Sequence, residues 1–112
     1  MRLSQFVIIA AVALWLVLPT AASAQPAATV NMTDDAFDHT EVDISAGSTV
    51  VWNNGNVNTH TVTADDGSFD SGDLATGKQF SMEFDTPGTY PYYCQYHGDV
   101  GGVGMSGVIV VS

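Results

Sequence analysis

Two hydrophobic patterns divide the chain. From Phe6 to Leu18 apolar residues run without interruption, whereas from Ala28 onward apolar and polar positions alternate with the period of two that half-buried strands show. The alternation predicts strands over Ala28–Met32, Glu41–Ile44, Thr49–Asn53, Thr59–Ala64, Gln79–Phe84, Thr89–Cys94 and Ser106–Val111. Between them lie Ala46-Gly47, Asn53-Asn54-Gly55-Asn56, Asp65-Asp66-Gly67, Ser71-Gly72-Asp73 and Thr86-Pro87-Gly88, all turn formers. No stretch sustains a helical apolar period. Short strands at this density predict an all-β fold, an antiparallel two-sheet Greek-key β-sandwich. Within it, Phe80, Met82 and Phe84 share one strand face, and Tyr90, Tyr92 and Cys94 share another.

The Phe6–Leu18 run follows Arg2 and precedes Pro19 and Ala22-Ser23-Ala24, the layout of a secretory signal with an A-x-A cleavage site. It is shorter than the ~20 residues a membrane-spanning helix needs, and an uncleaved anchor is the alternative. We read residues 1–24 as a signal peptide and 25–112 as one domain, exported to the periplasm or beyond the cell, with no membrane span in the mature form. A domain of that size buries only about 60% of its unfolded surface and benefits from a disulfide or a metal. One cysteine rules out an internal disulfide. An exported thiol oxidises unless it is buried or bonded to something.

Charge narrows the partners. The chain has 12 Asp+Glu against 2 Lys+Arg, and signal cleavage would leave Lys78 as the only strong base. That balance excludes nucleic acid and anionic lipid as partners. Two readings of the acids stand side by side: a solubilising surface, or a docking face for a basic protein.

Cys94 shares its face with large aromatics, so a plain buried thiol is the simplest account of it. His97 lies three residues on, close enough for the chain to turn back and set its imidazole beside the sulfur. His60 opens a strand after the Asn53–Asn58 turn, and Met105 precedes the last strand. Taken singly, His60 reads as a hydrogen-bonded histidine and Met105 as core. Together, two imidazoles, a thiolate and a thioether are the donor set of a blue-copper electron-transfer site.

Four segments carry a resemblance: "VDISAGSTVVWNN", "THTVTADDG", "FSMEFDTPGTYPYYCQYH" and "GMSGVIVV". Tyr-x-Cys-x2-His followed by Gly-Met-x-Gly and a β run is the most specific. The chain resembles the cupredoxin family, most closely its plastocyanin-like and amicyanin-like bacterial members. The resemblance implies a cupredoxin-like sandwich and one type 1 copper ion held by His60, Cys94, His97 and Met105. It also implies that the Thr61 N–H donates to the cysteine sulfur and that the His97 ring edge emerges through an apolar patch, here Gly98, Val100, Gly101, Gly102 and Val103. Asn53 is either a tie between the two ligand-bearing loops or an ordinary turn residue. The spacing departs from the family: seven residues, Gly98 to Gly104, separate His97 from Met105, longer than plastocyanin-like members have. The excess is expected to fold back as a compact bulge beside His97, using its glycines for positive-φ turns. Met82 and Met32 read as core, and His39 as solvent-exposed.

The function these residues imply is the shuttling of single electrons between redox partners by a monomer. Its partner is expected to be a cytochrome or oxidoreductase with a basic docking face, and Asp65, Asp66, Asp70 and Asp73 are candidates for the complementary surface. The alternative is a copper carrier or store using the same ligands. Structural zinc seldom takes a thioether. A cysteine hydrolase would need a cleft and an oxyanion hole, and no motif for either is present, so the chain is not read as an enzyme.

Overall fold

A computed structural model describes residues 26–112, so the expected signal peptide, 1–24, lies outside the described residues. Seven strands follow: β1 (Ala28–Asn31), β2 (Glu41–Ile44), β3 (Ser48–Asn53), β4 (Thr63–Ala64), β5 (Gln79–Phe84), β6 (Gly88–Asp99) and β7 (Val103–Val111). One sheet has the order β1-β3-β5 and the other β2-β7-β6-β4. Pairing is antiparallel for β3–β5, β4–β6 and β6–β7 and parallel for β1–β3 and β2–β7. The parallel pairs follow from the connections: after β1 the chain crosses to the second sheet for β2 and returns to the first for β3. The all-β sandwich is as the alternation predicts, with each sheet mixed. No helix among the described residues is long and apolar enough to cross a membrane.

The core lies where the inward faces meet. Val30, Val50, Trp52 and Phe84 come from the first sheet, and Val42, Ile44, Tyr92, Cys94, Ile109 and Val111 from the second. Trp52 and Tyr92 meet across the sheets with ring centroids 5.4 Å apart, nearly perpendicular, and Phe37 packs edge-on to Tyr92 at 4.9 Å. Such contacts add to the area each ring removes from water. Tyr92 also faces Gly107 on β7, where a Cβ would stand 2.5 Å from the tyrosine oxygen.

Two elements differ from the alternation. Of Thr59–Ala64 only Thr63–Ala64 joins the ladder, because the following loop folds back and takes the other backbone groups. His60 pairs with Leu74 through both its N–H and its C=O, and the Val62 carbonyl accepts from Ser71. All of His60–Ala64 is buried, so alternation does not distinguish its faces. The second difference is at Gly98–Gly104, which forms a regular hairpin rather than a bulge. Gly98 pairs with Gly104 and Asp99 with Val103 around the turn Val100-Gly101-Gly102, with positive φ at Gly101 and Gly102.

Tyr92 makes the core sensitive to alkali. Burial pushes its phenol up to about 12, with the nearby Trp52 indole opposing the shift. In the unfolded chain a phenol ionises near ~10, so between those two values the unfolded state has released a proton that the folded state retains. Stability is therefore whole below the lower value and falls as pH rises towards the upper one, by up to about 3 kcal/mol. Urea unfolding across that range should show the decline, and Tyr92→Phe should remove it.

Candidate metal centre

The register of the β6–β7 hairpin makes the site. Tyr93 pairs with Ser106 and Gly98 with Gly104, so four residues of β6, Cys94–His97, stand opposite one residue of β7, Met105. A bulge of this kind bends the strand and re-aims its side chains. Cys94 keeps the inward direction of Tyr90 and Tyr92 and is fully buried, Met105 is 1% exposed, and His97 emerges at the surface. The compact bulge expected from the spacing thus exists one segment earlier, and it carries the chemistry itself.

His60 approaches from the β4 side. Its loop is organised by Asn54 rather than Asn53: the Asn54 amide donates to the carbonyls of Asn58 at 2.8 Å and Leu74 at 2.7 Å, and its Oδ1 accepts from the Asn56 N–H at 2.9 Å. Asn54 continues the inward parity of Val50 and Trp52, and that is the signal in the sequence that marks it as the buried tie. The Asn53 Oδ1 makes no hydrogen bond.

The donor atoms converge. Cys94 Sγ lies 3.7 Å from His60 Nδ1 and 3.6 Å from His97 Nδ1, and the three ligating atoms all lie within 4.8 Å of one another. First-row metal–sulfur and metal–nitrogen bonds of roughly 2.3 and 2.0 Å, set at tetrahedral to trigonal angles, put S and N about 3.6 Å apart. The residues therefore fit a single shared ion. Burial holds the His60 imidazole below its ordinary pKa and the facing His97 adds to that, against the Thr33 backbone and Asp34, which raise it. The neutral ring so favoured is the form a metal binds. The Thr61 N–H donates to Cys94 Sγ at 3.4 Å, the contact the resemblance implies.

Acids from the 65–74 loop gather around the bulge. Asp65 Oδ2 accepts from the Gly101 N–H at 2.9 Å, bracing the hairpin turn. The Tyr96 hydroxyl donates to Asp73 Oδ1 at 2.5 Å, a bond that raises the tyrosine pKa. Among the described residues, Val57, Tyr96, Val100 and Val103 are the large apolar side chains left exposed. The remaining candidates fall as expected: His39 is exposed, Met32 is buried, and Met82 packs against the core.

Comparison with known proteins gives the family and the fold. Residues 6–111 match the family described as cupredoxin-like domain. Plastocyanin of Scenedesmus fuscus is 36% identical over 86 residues, which cover 67% of this chain and 85% of the plastocyanin. The reduced Cu(I) form of an amicyanin point mutant superposes with a TM-score of 0.68 at 24% identity, covering 80% of this chain and 85% of that one. A copper-containing nitrite reductase from Thermus scotoductus SA-01 superposes with the same score at 27% identity, over 79% of this chain but 22% of the reductase.

The tightness of the hairpin is open to test. A Cβ on Gly104, where φ is +64°, would lie 2.4 Å from the His97 carbonyl oxygen, whereas one on Gly101, at φ +81°, meets nothing. Gly101→Ala should cost only the left-handed backbone, about 1–2 kcal/mol, and Gly104→Ala a further 1–3 kcal/mol or so for the collision. Urea denaturation of the metal-free proteins measures both. Equal losses would show that the strands part freely beside His97.

Proposed function

This chain belongs to the cupredoxin-like family, and on that premise we propose an exported blue copper protein that passes single electrons between redox partners, with His60, Cys94, His97 and Met105 as ligands of one copper ion. The observation that carries the proposal is the convergence of a fully buried thiol and two imidazole nitrogens at 3.6 and 3.7 Å, on a bulge opposite Met105. Copper, when bound, supplies one-electron Cu(II)/Cu(I) chemistry, for which imidazole, thiolate and thioether together are the suited donors.

Each residue has a distinct part. Cys94 supplies the sulfur donor, shielded from oxidants by complete burial. The His60 backbone is bonded to Leu74 through both its N–H and its C=O, which fixes the segment that presents the ring. The Thr61 N–H withdraws electron density from the sulfur. Met105 offers a soft donor from β7, directly opposite the bulge. His97 is the one exposed member of the set, and Tyr96, Val100 and Val103 on its own hairpin are exposed apolar neighbours. That pattern suits the passage of an electron through the His97 ring edge to a protein docked there.

Three of the four side chains are at most 1% exposed, which favours a retained redox ion over a carrier that hands metal on. The match to nitrite reductase spans only 22% of that protein, and electron transfer rather than catalysis is the activity proposed. Export rests on the apolar run with its A-x-A site and on the single thiol. Asp65 and Asp73 bond to Gly101 and Tyr96, so negative charge stands next to the exposed histidine and suits a basic partner.

Three measurements test the reading. Cys94→Ser should abolish the intense visible absorption of the copper(II) protein, since that band is charge transfer from sulfur; a variant that stays blue would refute the site. Met105→Leu should keep the colour and raise the reduction potential, whereas a potential that moves only in Met82→Leu would reassign the thioether. With a basic cytochrome, the electron-transfer rate should fall several-fold as salt rises past the point where screening sets in, at ~8 Å for physiological ionic strength. A neutral redox reagent should show no such fall. Salt-independent rates with basic partners would leave the acids a solubilising role alone.

A further inference from the structure

A second set of hydrogen bonds runs outward from the centre, and none of its outer members is a metal ligand. The Gln95 N–H, on the peptide that follows Cys94, donates to Thr61 Oγ1 at 2.9 Å. Thr61 Oγ1 and Thr63 Oγ1 are 3.0 Å apart, and the Thr63 hydroxyl donates to Asp70 Oδ1 at 3.1 Å. Both threonines are buried, at 0% and 6% exposure, while Asp70 is exposed.

The carboxylate fixes the direction of the whole chain. A carboxylate only accepts, so the single hydroxyl proton of Thr63 is committed to Asp70. Thr61 must then donate its own proton to Thr63, which leaves the Thr61 oxygen free to accept from Gln95. Every link therefore donates outward, from the Cys94 peptide to the anion, in the arrangement in which successive bonds polarise and strengthen one another. Asp70 is itself held in place: its Oδ1 accepts from the Gly72 N–H at 2.9 Å, and its Oδ2 from the Gln95 side-chain amide at 3.4 Å. Thr61 is the residue whose own N–H sits on Cys94 Sγ.

We propose that Asp70 is a positioning residue for the metal centre: acting through Thr63 and Thr61, it clamps the His60–Thr61 segment to the Cys94–Gln95 peptide and so fixes the N–H···S contact. The proposal rests on the reading of Cys94 as a copper ligand for its effect on potential, but the clamp itself is a property of the polypeptide. Its removal should loosen two amides that the metal does not touch. In the copper protein, the donor to sulfur stabilises the extra negative charge that sulfur carries when the centre is reduced. Loosening that contact therefore favours the oxidised form and lowers the potential.

Thr63→Val keeps shape and charge and deletes the relay. In the metal-free variant, exchange of the Gln95 and Thr61 amide hydrogens, followed by NMR, should accelerate at least tenfold. In the copper protein the reduced-to-oxidised ratio at fixed poise should drop two- to tenfold, tenfold being about 59 mV for one electron. Thr63→Ser should restore both. Asp70→Ala, at an exposed position, should reproduce the faster amide exchange of Thr63→Val, while its potential also registers the loss of a negative charge. Asp70→Asn retains an acceptor and removes only the charge, so it should keep the amides protected and leave the potential equal or higher. Unchanged amide exchange in both Thr63→Val and Asp70→Ala would overturn the clamp. A potential that rises in Thr63→Val would also overturn it, since loosening the N–H···S contact lowers the potential. Because exchange is read without metal, loss of copper colour in the unmutated protein would sink the copper reading alone and leave the clamp to be judged on its amides.

Discussion

Four residues of β6 have to fit the span of one residue of β7, and the metal-binding end of the molecule is the consequence. The Tyr93–Ser106 and Gly98–Gly104 pairs pin the two sides of the bulge. Between those pins Cys94–His97 cannot lie flat, so the backbone extrudes. Cys94, at the near pin, still follows the inward parity of Tyr90 and Tyr92. His97, at the far pin, has left it and reaches the surface. One short segment thereby delivers a buried cysteine sulfur and a surface imidazole within 3.6 Å of each other. The closeness of the strands at the far pin explains the glycines there, since a Cβ at Gly98 would lie 2.5 Å from the Met105 carbonyl oxygen.

Extrusion has a price in backbone hydrogen bonds, and the first sheet's loops supply the replacements. The Gln95 N–H, with no partner on β7, is taken by Thr61 Oγ1. Thr61 comes with His60 on a segment whose backbone is bonded to Leu74, and the Leu74 carbonyl is bonded in turn to Asn54. The His60 segment is therefore held beside the sulfur by hydrogen bonds among protein groups, and His97 by the bulge itself. A centre whose donors are held in this way changes little when one electron is added or removed, which is the physical requirement for fast exchange.

The acidic residues prove less alike than their common charge suggests. Hydrogen bonding from Ser68, its side chain first and its N–H second, holds Asp66 in its own turn and lowers its pKa. Asp65 braces the hairpin tip, Asp73 takes the Tyr96 hydroxyl and Asp70 ends the chain from Thr63. All three sit on one loop that wraps the β4 edge of the second sheet, so a negative field is built into the same contacts that shape the site.

Most of the fold was legible in the order of residues, because strand parity and turn chemistry are local. Period-two alternation marks β2 and β5 to their ends and places Tyr90, Tyr92 and Cys94 on one face; the donors His60, Cys94, His97 and Met105 are visible as residue types suited to one ion. What remained hidden depends on partners distant in sequence. The length of β6 beyond Cys94 is set by pairing with β7, and local alternation stops at the bulge that this pairing creates. The burial of both sides of His60–Ala64 comes from the 65–74 loop folding over it. Strand parity singles out Asn54 over Asn53, but its bond to Leu74, twenty residues away, is not visible in it. The sequence by itself offered the set of donor residue types; tertiary structure alone decided their register, since a hydrogen bond between strands has no signature in either strand taken alone.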